Sequence, residues 1–130
     1  MNARIILPRL LLFEAATYAI TSAFHFGLVV SSYGHTEAGT AEAIIATVLV
    51  GGAVLASLRP AWLRPVAFGA QLFALLATFI GLYAIAVGFG PRTVPDVVYH
   101  LAIVVVVLGG LVLAARADST KIGRGSGASS

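Results

Sequence analysis

Four side chains in the first apolar stretch of this chain could do chemistry together: Glu14, Tyr18, Thr21 and His25. They are spaced four, three and four residues apart, which puts them on one helix face, where i+3 and i+4 side chains are neighbours. The stripe covers about 16 Å of depth at ~1.5 Å per residue. A carboxyl, a phenol, a hydroxyl and an imidazole in a row can pass protons. Within an apolar segment such a stripe is expected to face the inside of a bundle, because an ionisable group turned to lipid is costly.

Depth along the later stretches suggests partners. His25 lies in the outer third of the first span, and His100 about five residues into the fourth, so both fall near the outer face. Glu42 and Tyr99 can approach at that level. Glu14, about 9 Å inside the start of the first span, lies in its inner third at a depth similar to Gln71 on the third. This predicts an outer cluster (His25, His100, Glu42) and an inner pair (Glu14, Gln71), joined by Tyr18 and Thr21. Two imidazoles on facing helices can hold a metal ion or bind a b-type haem axially. His and Tyr can also hydrogen-bond the carbonyls of a quinone. The plain alternative is that each His bonds a neighbouring helix and holds the bundle together. No Lys or Arg within the spans can neutralise Glu14, so it is expected to be protonated and bonded to Gln71, or to exchange protons. His35 and Glu37 read as a solvated outer loop.

The elements that must position these groups are membrane spans. Of 130 residues, 59% are hydrophobic and 10% charged, whereas soluble domains carry about a quarter charged residues. Four apolar segments approach the ~20 residues needed to cross the hydrocarbon: about Pro8 to Val30, Ala41 to Leu58, Leu63 to Gly88 and Pro95 to Arg116. They lack the alternation of barrel strands, and backbone groups in lipid must be satisfied within a segment. The fold class is therefore all-α, an integral membrane bundle of four transmembrane helices spanning 1–116. A Gly/Ser-rich tail, 117–130, is expected to be disordered. Arg4 and Arg9 resemble the head of an export signal, but the length of the first span and its Glu14 and His25 favour a retained helix.

Arg4, Arg9, Arg59, Arg64, Arg116, Lys121 and Arg124 fall on one side and only Arg92 on the other. By the positive-inside rule both termini and the second loop are cytoplasmic. The same distribution accounts for the basic balance, so nucleic acid is not an expected partner. Thr40 is expected to cap the second span, with Glu42 in its first turn. Thr93 and Asp96 form a capping-box variant with Pro95 beside them. Tyr33 and Trp62 read as interface anchors, and Gly51, Gly52, Gly81, Gly109 and Gly110 as close-packing positions. The absence of cysteine excludes disulfides and thiolate sites. No nucleotide-binding loop, zinc-protease motif or nucleophile elbow occurs, so soluble-type catalysis is not expected.

Arg9-Leu10-Leu11-Leu12 opening the first span, Ala41-Glu42 opening the second, Gly51-Gly52 within it and the Arg59–Arg64 turn resemble the DoxX-like small four-helix bacterial inner-membrane proteins. The resemblance covers most of the first ninety residues. At Ala23-Phe24-His25-Phe26-Gly27 the chain departs from the Gly-Lys pair that often ends the first span in that group. The resemblance implies an accessory or quinone-linked redox subunit. Three functions follow as expectations. The first is an accessory or redox-associated subunit, with lipid, a second copy or a membrane redox protein as partner. The second is a haem- or metal-binding electron-transfer subunit using His25 and His100. The third is a proton-linked small transporter that works as an oligomer.

Overall fold

The computed structural model describes residues Ala3 to Ala117; all but the first residue of the expected tail, 117–130, lies outside them. Four helices, α1 (Ala3–His25), α2 (Thr36–Leu58), α3 (Leu63–Val87) and α4 (Val94–Arg116), run alternately up and down. Each is long and apolar enough to cross a membrane. Helix α1 packs most closely on α2, and α3 on α4; α2 against α3 and α1 against α4 close the bundle. Large apolar side chains such as Phe13, Ile20, Ile80, Leu101 and Val105 cover the exterior.

Three helix boundaries differ by five residues from the sequence expectation. Helix α1 begins five residues before Pro8 and runs through it, at the cost of the one i→i−4 bond that Pro8 cannot donate. It ends at His25 rather than Val30, because Gly27 takes a left-handed conformation (φ 71°) and the Leu28 N–H turns back to the Ala23 carbonyl. That is a glycine stop, and the apolar residues after it are not helical. Glu14 is consequently eleven residues from either end of α1, at mid-depth and about 16 Å from each end, not in the inner third. Helix α2 starts five residues earlier than expected. Its cap is His35, whose Nδ1 accepts the Ala38 N–H at 3.5 Å, while Thr40 lies inside the helix and bonds back to the Thr36 carbonyl.

The expected start of α4 is present. The Thr93 hydroxyl accepts the Asp96 N–H and the Asp96 carboxylate accepts the Thr93 N–H, with Pro95 in the first turn. At the far end of α3, Gly88 (φ 93°) provides the left-handed stop. Arg92 then covers the freed carbonyls of Ile85 and Ala86 from its guanidinium. These caps fix the heights at which His25, Glu42 and Asp96 meet.

Candidate functional site

The buried core is polar at one end and apolar at the other. At the end where α1 stops, His25 is fully buried with a carboxylate on each ring nitrogen. Nδ1 lies 2.7 Å from Glu42 Oε2, and Nε2 lies 3.0 Å from Asp96 Oδ1. Three helices thus each contribute one titratable group to one cluster. Tyr33, from the single helical turn Ser31–Tyr33, stacks nearly parallel on the imidazole at 5.9 Å and donates its hydroxyl to Asp96 Oδ2 at 2.7 Å. Thr93 donates to the same oxygen. Burial holds the Tyr33 hydroxyl above its ordinary pKa, and the bond to Asp96 raises it further, so it stays a donor at neutral pH.

These bonds order the protons. Asp96 receives donors from Tyr33 and from both the hydroxyl and the N–H of Thr93, the pattern of an ionised, acceptor-only carboxylate. Nε2 of His25 then carries a hydrogen, and the proton between Nδ1 and Glu42 can reside on either partner. Glu42 Oε1 is buried without a hydrogen-bond partner, so it can take a further proton without breaking an existing bond.

Below the cluster the polar groups continue along the inner face of α1. Tyr18 and Thr78 share a hydrogen bond at 2.5 Å. Tyr18 meets Tyr99 edge-on at 6.1 Å, and Tyr99 meets His100 in the same way at 5.4 Å. The Tyr99 hydroxyl is buried beside Thr17 and Thr21 without a partner at hydrogen-bond distance. At mid-depth Gln71 donates its amide to Glu14 Oε2 at 2.8 Å; Glu14 Oε1 and Gln71 Oε1 are buried and unpartnered. Gly110 of α4 makes this pair fit: a Cβ there would collide with the Gln71 amide.

The structure therefore brings together Glu14 with Gln71, and His25 with Glu42. His100 is placed differently. Its Nδ1 donates to the Asp96 backbone carbonyl at 2.8 Å, and its ring lies against Gly81 of α3. The two histidines share Asp96 rather than a ligand: one takes its side chain and the other its carbonyl. Thr21 is only half-buried and bonds back to the Thr17 carbonyl; the buried hydroxyl at that turn is Ser22, which donates to the Gly39 carbonyl at 2.7 Å. His35 caps α2 and reaches the Phe89 carbonyl at 3.1 Å, tying the two loops at this end together. Its Nδ1 also lies 3.6 Å from Glu37.

Asp96 and Tyr33 are the members that sequence reasoning missed. Asp96 was assigned wholly to its capping role, although Asp96 and His100 at i and i+4 already marked one face of α4. Tyr33, expected to anchor at the interface, is instead turned inward; Trp62 remains exposed. Among the described residues no three His, Cys, Asp or Glu side chains are placed to hold a metal ion. For His25 to ligate a metal or haem, it would have to release Glu42 or Asp96. His100 Nε2 makes no such bond, and with Nδ1–H fixed on a carbonyl its lone pair is free to accept. Family models, curated proteins and solved structures contain no match to this chain.

Proposed function

We propose that this chain is an accessory subunit of the bacterial inner membrane, with its termini in the cytoplasm, that binds and exchanges protons at a buried polar column. The observation that carries this reading is His25, enclosed in the bundle with a carboxylate on each nitrogen. A purely structural histidine needs one partner to fix it. Two acids bracketing one imidazole create a shared proton and, at Glu42 Oε1, a place for another. Glu14 offers a second exchange position at mid-depth, one helical turn from Tyr18.

The column is one-sided. On the same face of α1, one and two turns beyond Glu14, stand Leu11 and Leu7, both essentially inaccessible. With Ala53, Ala56, Ala67 and Ala114 they form an apolar plug. Protons therefore enter and leave from the histidine end, and crossing the bilayer would need a second copy or a partner to complete the path. This favours an accessory role over a self-contained transporter. The likeness to DoxX-like proteins, carried by the sequence features given above, points the same way.

Infrared titration of the protein in lipid nanodiscs tests the reading. A carboxylic acid C=O band that changes with pH, and that Glu42→Gln or Glu14→Gln removes in part, is the expected result. Carboxyl bands that stay constant across the pH range over which the protein remains folded would remove proton exchange from its function.

A second reading rests on His100. Its free Nε2 lone pair could serve as a single axial ligand, or accept a hydrogen bond from a quinol. An absorption spectrum and metal analysis of protein purified in mild detergent, with His100→Ala as the control, separates this reading from the first.

A further inference from the structure

Two grooves lie on the outside of the α1–α2 pair, with Leu12 in the lining of both, and neither belongs to the polar column. The first, about 370 Å³, lies at the arginine end and is lined by Arg4, Arg9 and Ser57, with Ile5, Leu12 and Pro60 beside them. The second, about 400 Å³, runs towards mid-depth and is lined by Ala15, Ala16, Ala19, Thr47 and Val50. The Thr47 hydroxyl donates its hydrogen to the Ala43 carbonyl of its own helix, so the second groove offers a ligand no free side-chain donor and mainly apolar contact.

A basic pocket at the helix ends followed by an apolar groove further along the same two helices matches one class of molecule in chemistry and in layout. We infer that this surface binds an anionic phospholipid, with its phosphate at Arg4 and Arg9 and an acyl chain along the alanine-lined groove. Guanidinium forks suit phosphate oxygens, and basic pockets between helices at the cytoplasmic side are where anionic head groups bind. The small side chains of Ala15, Ala16 and Ala19 leave α1 a shallow trough where larger residues would fill the space. A free anion would use only the first groove and gain nothing from the second, which is why the lipid is the occupant. The inference rests on the placement of the chain in a membrane but not on the proton chemistry.

The test is native mass spectrometry of the intact protein released from detergent, titrated with phosphatidylglycerol and, separately, with phosphatidylcholine. The expected result is retention of phosphatidylglycerol over phosphatidylcholine, falling about fivefold for each arginine removed in Arg9→Gln and then Arg4→Gln/Arg9→Gln. Arg116→Gln, at the same end but outside the groove, should keep the preference. Ala16→Phe, which fills the apolar groove and leaves both arginines, should weaken lipid retention. It also gives a readout if the double arginine variant fails to assemble. Equal retention of the two lipids, an unchanged preference in Arg9→Gln, or full competition by inorganic phosphate would overturn the assignment. Membrane residence is checked separately by fractionation, so its failure would be distinguishable from loss of lipid selectivity.

Discussion

The two halves of the bundle use the same four helices and opposite core chemistry. At the arginine end the core is Leu7, Leu11, Ala53, Ala56, Ala67 and Ala114. At the histidine end it is Tyr18, Ser22, His25, Glu42, Thr78 and Asp96. The apolar half shows that these helices can pack with small and aliphatic residues alone, as at Gly52, where a Cβ would stand 3.0 Å from that of Ala70. The polar half was therefore not required to make a bundle. Burying an ion pair seldom adds stability over an apolar equivalent. What the polar half adds is a set of titratable groups enclosed together, and that is the physical case for function at that end.

The largest test of this contrast removes the centre of the polar half. His25→Ala leaves Glu42 without a partner and Asp96 short of one, and is expected to cost about 3–5 kcal/mol in unfolding from detergent micelles. Replacing both halves of one pair, His25→Leu with Glu42→Leu, should recover most of that loss, since Asp96 keeps its Tyr33 and Thr93 bonds. The double variant should also lose the pH-dependent carboxyl band assigned to Glu42. Recovered stability with an unchanged band would mean that the titrating group lies elsewhere.

The apolar half is tested next. Leu11→Ala opens a cavity in the plug and should cost about 2–5 kcal/mol. Leu11→Asn instead extends the polar column by one turn. In liposomes the parent protein is expected to pass no protons across the bilayer, and Leu11→Asn to show a measurable leak. A parent protein that already conducts would contradict the one-sided column.

The sequence made some of this legible and hid the rest for identifiable reasons. The stripe from Glu14 to His25 was readable because helical spacing decides which side chains share a face, and the depth match of Glu14 with Gln71 survives even though Glu14 itself proved to be at mid-depth. The pairing of His25 with Asp96 was not readable, because they are 71 residues apart and equal depth also suited His100. Asp96 was hidden by its own capping geometry: one carboxylate serves the helix start with one oxygen and His25 with the other. The boundaries of α1 were misplaced because apolar residues continue after Gly27. Hydropathy does not register a left-handed glycine.

The junction between the halves gives a finer test. Gly110 looked like a packing glycine, yet the space it leaves is filled by the Gln71 amide. Gly110→Ala should displace Gln71 from Glu14 and cost about 1–3 kcal/mol by overpacking. Gly109→Ala, where a Cβ meets nothing within 4 Å, should be neutral or slightly stabilising in the same unfolding assay. If the two alanines behaved alike, Gly110 would be an ordinary helix position and the Glu14–Gln71 bond would not depend on it.

The smallest expected effect concerns the cover over the polar half. Tyr33→Phe keeps the ring stacked on His25 but removes one donor to Asp96, a loss of about 0.5–1.5 kcal/mol. The pH dependence carries the sharper information. Because the Tyr33 pKa is raised in the folded protein, its contribution is fully present below the ordinary tyrosine range near 10 and is lost as pH rises through the raised value. The parent protein should therefore lose more stability on the alkaline side than Tyr33→Phe does, so the two unfolding curves converge at high pH. Convergence would establish that the Tyr33 hydroxyl holds the loop to Asp96. Parallel curves would mean that the loop is held by the ring stack and by the His35 bonds to Ala38 and Phe89.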